Sequence, residues 1–207
     1  MVDEVTAEAF ASYMKKYPNL YEYLAQVVQK HSSVKKSIIV DLGVGPGLLA
    51  TEILKKMPNA SLVGIDQSLT MLKLAKQNVG FENIQSISES IPLLNNSVDI
   101  IVSRFSLAYW KKPNDSFAEM HRVLKPDGKV VLEALNRDYP NWRLFFIKLH
   151  MKLNRAEAEV VKYHIDAFKD AYTIDQVKQF FNNARFSIVE SISNKKDWKF
   201  IVVAKKK

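Results

Sequence analysis

The sequence predicts an α/β fold, a parallel sheet covered on both faces by helices. Three observations carry that expectation. Short apolar runs and helical stretches alternate from residue 38 to residue 132, the pattern of a doubly wound sheet. A turn holding Gly43, Gly45 and Gly47 follows the first apolar run, in a chain with only six glycines. After residue 135 the alternation gives way to helical stretches and then to two β-rich runs.

Taken in order, residues 4–31 read as one or two amphipathic helices rich in aromatics (Phe10, Tyr13, Tyr17, Tyr21, Tyr23), interrupted at Pro18-Asn19. A strand at 38–42 leads into the glycine turn. A helix from 47 to 57 follows, with Lys55-Lys56 in its last turn where cations suit the dipole, and Pro58-Asn59 ends it. A second strand, 62–65, ends at Asp66, and Ser68 is placed to cap a helix over 69–78. The third and fourth strands are expected at 84–87 and 98–102. A helix over 115–124, the turn KPDG and a fifth strand over 130–132 complete the alternation. Helices over 141–152, 155–169 and 173–183 precede β runs at 185–192 and 198–204, joined as a hairpin. The spacing of Phe145, Phe146 and Leu149 reads as a buried helix face.

Composition removes several function classes. With no cysteine, disulfides, thiolate metal sites and cysteine nucleophiles are excluded. No apolar run approaches the ~18 residues of a membrane span. Acids stand where a secretory leader carries cations, so a cytoplasmic protein is expected. The formal net charge of +8 permits an anionic partner such as RNA. The lysines come as scattered pairs, however, and these read as solvated charge at helix ends and turns. His31, His121 and His150 share no metal-ligand spacing, so no metal is expected, and His164 reads as a surface or core residue rather than a base.

The glycine turn is the chemical signal. In an open α/β sheet, ligands sit beyond the carboxyl ends of the strands, beside the first one. Glycine there tolerates positive φ and lets backbone approach a ligand closely. A dinucleotide fingerprint wants G-x-G-x-x-G, but its last position here is Leu48, and Pro46 removes an amide. No G-K-[ST] follows, so a P-loop fails as well. Asp66 ends the second strand ~20 residues beyond the glycines, where a carboxylate reaches ribose hydroxyls. The combination points to a nucleoside without a phosphate grip.

The ordered pieces VDLGVGPG, GIDQSLTML, a strand followed by Ile91-Pro92, VDIIVSRFSLAYW and EMHRVLKPDGKVVLEAL resemble a class I S-adenosylmethionine-dependent methyltransferase. More narrowly they resemble its small-molecule group, called type 11 or UbiE-like, over residues 36–135. The resemblance implies a Rossmann-like doubly wound seven-stranded sheet with one antiparallel C-terminal strand. With no repeats and no low-complexity linker, the chain reads as one domain (1–207), organised as an N-terminal helical lid (1–35), a cofactor-binding core (36–135), a helical insertion (136–170) and a C-terminal helix with hairpin (171–207).

Carried over by position, Asp41 and the backbone of Gly43 and Gly45 would hold the amino-acid end of the cofactor. Asp66 would take the ribose hydroxyls, Gln67 would pack beside the adenine, and Ser103 and Arg104 would line the methionine portion. The family's strand-three aspartate, which accepts from the adenine amine, is replaced by Ile87 in this register, with Ser88 or Glu89 as stand-ins.

Methyl transfer from a sulfonium is an in-line displacement that asks mainly for alignment and exclusion of water, and no catalytic constellation stands out. Cytosine C5 methylation is disfavoured by the missing thiol, and adenine amino methylation by SRFS after strand four. Tyr109, Trp110 and Asn136 are the candidate walls of an acceptor pocket, with packing of 115–124 onto the sheet as the other role for Tyr109 and Trp110. The favoured function is methyl transfer to a small molecule. An RNA- or protein-directed methyltransferase and a non-catalytic binder of the cofactor are the alternatives.

Overall fold

A computed structural model of the chain describes residues 11–12, 19–32, 34, 36–78, 81–146, 166–193 and 197–207. The strands are β1 (Ile38–Leu42), β2 (Ser61–Asp66), β3 (Glu82–Gln85), β4 (Val98–Arg104), β5 (Leu124–Leu135), β6 (Phe186–Ile192) and β7 (Lys199–Lys206). They form one seven-stranded sheet in the order β3-β2-β1-β4-β5-β7-β6. The first five neighbours in that order pair parallel, whereas β7 runs antiparallel to both β5 and β6. Strand order reverses between β1 and β4, so their carboxyl ends open the crevice in which such sheets take ligands.

The helices are α1 (Asn19–His31), α2 (Leu48–Lys56), α3 (Leu69–Asn78), α4 (Pro113–Val123) and α5 (Ile174–Asn183). In α1, Tyr21, Leu24, Ala25 and Val28 are buried, the i, i+3, i+4, i+7 spacing that places one helix face on a core. Pro113 opens α4, where its missing amide costs nothing. A capping box between Thr173 and Gln176 starts α5.

Both faces of the sheet are covered, which explains the near-continuous apolar strands. Alternate residues serve opposite cores. Val130 and Leu132 join Phe117, Phe181 and Phe200 on the side of α4 and α5. Val131 between them joins Leu24, Val28, Leu49 and Ile53 on the side of α1 and α2.

Several expectations are corrected. Strand three lies two residues earlier than expected, because β2 ends at Asp66 and the ladder ends with it at Asp66–Gln85; Ile87 is then outside the sheet and exposed. Strand five is longer, running over residues 124–135 with KPDG pinched out inside it. The partner of β4 jumps there from Val98–Leu124 to Ile100–Lys129 around a left-handed Asp127. Lys206 is buried rather than solvated, its ammonium donating to Asn96 Oδ1 and the Leu124 carbonyl, and burial lowers its pKa.

Phe145 and Phe146, expected to be buried, are exposed. The helical stretch that carries them is described over 141–146, while Leu149, His164 and most of the expected helices at 141–152 and 155–169 lie outside the described residues. So do the Pro18 interruption and residues 194–196 of the hairpin. Among the described residues no helix is long and apolar enough to cross a membrane, and no group of three or more His, Asp or Glu could hold a metal ion.

Candidate functional site

The turn after β1 is held by its own neighbours. Gly43, Gly45 and Gly47 all adopt positive φ, at 82°, 52° and 81°. The amides of Gly43 and Val44 both donate to the Ile65 carbonyl, at 2.7 and 3.0 Å, and that of Gly47 donates to the Val44 carbonyl. The Gly45 amide donates to Asp66 Oδ2 at 2.9 Å. Pro46 has none. Every amide from Gly43 to Gly47 is therefore spent or missing, so the turn itself offers a phosphate no backbone donor. Any contact from this main chain runs through carbonyl oxygens, which suit an ammonium.

The glycines differ in what they make room for. A Cβ on Gly43 would lie 2.5 Å from Ser106 Cβ, and one on Gly47 would lie 3.2 Å from the Ala75 backbone of α3. At Gly45 nothing lies within 4 Å. That opening leaves the main chain at Gly45 uncovered, a cradle with room for a ligand. Gly43→Ala is expected to cost ~2–3 kcal/mol of stability from clash and strain together, whereas Gly45→Ala is expected to cost about 1 kcal/mol. Urea unfolding midpoints check both.

Asp66 closes one side of the cradle. Its Oδ1 accepts from the Ser68 amide at 2.9 Å, opposite the Gly45 contact. A carboxylate has about four acceptor positions, so these bonds leave capacity for a hydroxyl. Burial raises the Asp66 pKa, against the lowering effect of the surrounding amides.

Asp41 sits deeper in β1 and is 1% exposed. Burial, with repulsion from Asp66 added and Arg104 opposing, pushes its carboxyl up to about 8. Its Oδ2 is buried without a hydrogen-bond partner, and so is Nη2 of Arg104. Such orphans are rare in folded proteins and call for an explanation. One carboxyl oxygen and one guanidinium nitrogen, an acceptor and a donor left without partners, fit the ammonium and carboxylate of an amino acid.

Arg104 ends β4 inside an ion-pair network. Its Nε donates to Glu133 Oε2 at 2.7 Å, the two side chains being 7% and 0% exposed. Lys199 reaches the other oxygen of Glu133 at 2.6 Å. The guanidinium carbon lies 4.4 Å from the ring centre of Tyr21 on α1 and 4.2 Å from that of Phe105. Burial pushes the Tyr21 hydroxyl up to about 12.

The remaining candidates divide. Ser103 is fully buried and donates to the Leu42 carbonyl at 2.7 Å, tying β4 to β1, with Ser106 Oγ beside it. Ser88 shares a hydrogen bond with Ser116 of α4. Glu89 accepts from the Lys112 amide at 2.9 Å and from Ser88. Burial works against ionisation of Glu89, yet the amides and the Ser88 hydroxyl hold its pKa below the usual value. The side chains of Ser88 and Glu89 are thus committed to the start of α4 rather than held open beside β3.

Gln67 is exposed next to Asp66. Trp110 packs edge-on to Phe117, 5.8 Å between ring centres, which is the packing role. Asn136 is a latch: its amide nitrogen donates to the Asp197 carbonyl and its oxygen accepts from the Asp138 amide. Tyr109 alone of these three is substantially exposed, on the turn Leu107–Tyr109.

Phe105, Leu107, Ala108, Ala134, Leu135, Ala171 and Tyr172 line a small apolar cavity of about 10 Å³ beyond β4 and β5, room for one water molecule. Sequence reading did not find Ser106, Tyr21, Glu133 or Lys199. Only Glu133 carried a signal, as a lone acid inside the apolar run VVLEAL.

A family model described as a methyltransferase domain matches residues 40–132. The chain is 35% identical over 126 residues to the ubiquinone/menaquinone biosynthesis C-methyltransferase UbiE of Geotalea daltonii, covering 57% of this chain and 53% of that protein. It is 33% identical over 103 residues to the uncharacterized methyltransferase YdaC of Bacillus subtilis, covering 48% of this chain and 57% of the relative. The chain thus spans about half the length of these curated relatives. A solved SAM-dependent methyltransferase from Aquifex aeolicus shares the fold, with a TM-score of 0.66 at 20% identity over 87% of this chain and 88% of that one. With the sheet order, the glycine turn and Asp66 already in place, residues 40–132 match a methyltransferase domain, and the chain has the fold of solved S-adenosylmethionine-dependent methyltransferases.

Proposed function

We propose that this chain transfers the methyl group of S-adenosylmethionine to a small, largely apolar acceptor. The observation that carries the reading is the pairing of two buried orphans, Asp41 Oδ2 and Arg104 Nη2, with a glycine turn that has no amide left for phosphate. Asp66 holds the ribose hydroxyls, Asp41 and the turn carbonyls meet the ammonium, and Arg104 meets the carboxylate. The cofactor supplies the electrophilic methyl group. The protein's part is to align an acceptor against it and to keep water out.

The lining around Phe105 and Ala134 is apolar, without carboxylate or imidazole, but encloses only about 10 Å³, so a ring-bearing acceptor needs that wall to move aside. An acceptor with an already ionised oxygen or carbon suits such a site. The relative named as a quinone-biosynthesis C-methyltransferase is consistent with that class. The RNA-directed alternative is disfavoured by where the cations lie. Lys30, Lys55, Lys56, Lys125, Lys169 and Lys205 are each paired with an acid, on separate parts of the surface.

The raised Asp41 pKa gives a direct test. The folded, ligand-free chain holds a proton on Asp41 at neutral pH that a bound ammonium displaces. Calorimetry at pH 7 in two buffers of different ionisation enthalpy is expected to show release of about one proton per S-adenosylmethionine bound. The Asp41→Asn variant should release none and bind more weakly. Equal heats in both buffers for the intact chain would remove Asp41 from the ammonium site; absence of any binding would sink the whole reading. The same carboxyl sets a stability trend. A folded pKa of about 8 against 3.8 unfolded gives stability that is fully present below 3.8, falls as pH rises from there, and is lost in full once pH passes about 8. Asp41→Asn should therefore stabilise the ligand-free chain at neutral pH by ~1–3 kcal/mol.

A further inference from the structure

The helical stretch at 141–146 turns three large aromatics to solvent. Trp142, Phe145 and Phe146 are 61%, 61% and 59% exposed. They form one cluster: Phe146 lies 6.3 Å from Trp142 and 5.9 Å from Phe145, ring centre to ring centre, edge-on in both cases. Scattered exposed apolar residues are ordinary, but a contiguous aromatic patch marks a contact surface. The Arg143 guanidinium lies 5.1 Å from the Trp142 ring centre, so a cation is held among the rings.

The sequence around the patch is one-signed. Between Asp138 and Glu157 it carries Arg143, Lys148, Lys152 and Arg155 and no acid, in a chain of net charge +8. Aromatic rings interleaved with cations match one kind of partner well. At a bilayer surface the rings enter the boundary between headgroups and acyl chains, and the cations stay with the lipid phosphates.

We propose that Trp142, Phe145 and Phe146, with Arg143 among them, dock the chain onto an anionic lipid surface. The chain lies on the bilayer by this patch. On the catalytic reading above, the bilayer is also the source of a lipophilic acceptor. Tyr139, three residues before Trp142, lies 6.1 Å from Phe168, which packs on Leu135 and Ala171.

Sedimentation of the full chain with vesicles of phosphatidylcholine alone, or of phosphatidylcholine mixed with phosphatidylglycerol, tests the docking. Expected are co-sedimentation with the anionic vesicles and weakening by salt. Affinity should fall at least ~10-fold both in the Trp142→Ser/Phe145→Ser/Phe146→Ser variant and in Arg143→Glu. Unchanged thermal midpoints and unchanged cofactor binding would show these variants to be folded. No binding to either vesicle, equal binding to both, or binding indifferent to the substitutions overturns the proposal. So does a solution dimer that the triple variant separates, which would assign the patch to a second copy. Vesicle binding without methyl transfer supports the docking and overturns only the catalytic reading.

Discussion

Arg104→Ala is expected to lower the free energy of unfolding by ~3–5 kcal/mol, because it leaves a buried carboxylate with half of its partners. Glu133 is fully buried and holds Arg104 on one oxygen and Lys199 on the other. Truncation also empties the space between the Tyr21 and Phe105 rings. Lysine is not an adequate substitute, since it keeps the charge but loses the planar stacking and the second donor direction. Urea unfolding with an unchanged slope would show a loss of stability rather than a change in the unfolded chain. The Arg104→Met/Glu133→Gln pair should recover much of the loss by removing both buried charges. A loss below ~1 kcal/mol for Arg104→Ala would mean that Lys199 alone satisfies Glu133.

Asp66→Ala should weaken S-adenosylmethionine binding by about 100-fold or more. A carboxylate that accepts from ribose hydroxyls makes charge-assisted bonds of ~1.5–3 kcal/mol each, and two of them reach that factor. The cradle changes too, because the Gly45 and Ser68 amides lose their acceptor. Asp66→Asn separates the two contributions. It retains an oxygen for one amide while losing the charge, and should fall between the alanine variant and the intact chain. Calorimetric affinities, with the ligand-free thermal midpoint as a control for folding, decide the matter. Binding by Asp66→Ala within about threefold of the intact chain would place the ribose elsewhere.

Alternation of apolar runs with helical stretches was enough to read the sheet, because strands buried on both faces must be apolar at nearly every position. The glycine turn and Asp66 were legible for a related reason: their residue types are dictated by backbone conformation and by position at a strand end. Side-chain direction was not legible. Ser88, Glu89, Trp110 and Asn136 all sit near the carboxyl ends of strands in the chain. Yet they are spent on α4, on Phe117 or on the segment at Asp197. Which of several neighbouring groups takes a polar side chain depends on elements far away in sequence.

By itself, then, the sequence determined the α/β class, the order of the elements and the place of the main-chain cradle, since all three follow from local periodicity and local conformation. Only the tertiary structure decided the electrostatics. Asp41, Arg104, Glu133 and Lys199 are separated by 63, 29 and 66 residues, and their pairing exists only after β1, β4, β5 and β7 are laid side by side. It also decided that Phe145 and Phe146 face outward. Helical spacing says which residues share a face, but only the packed fold says whether anything covers it.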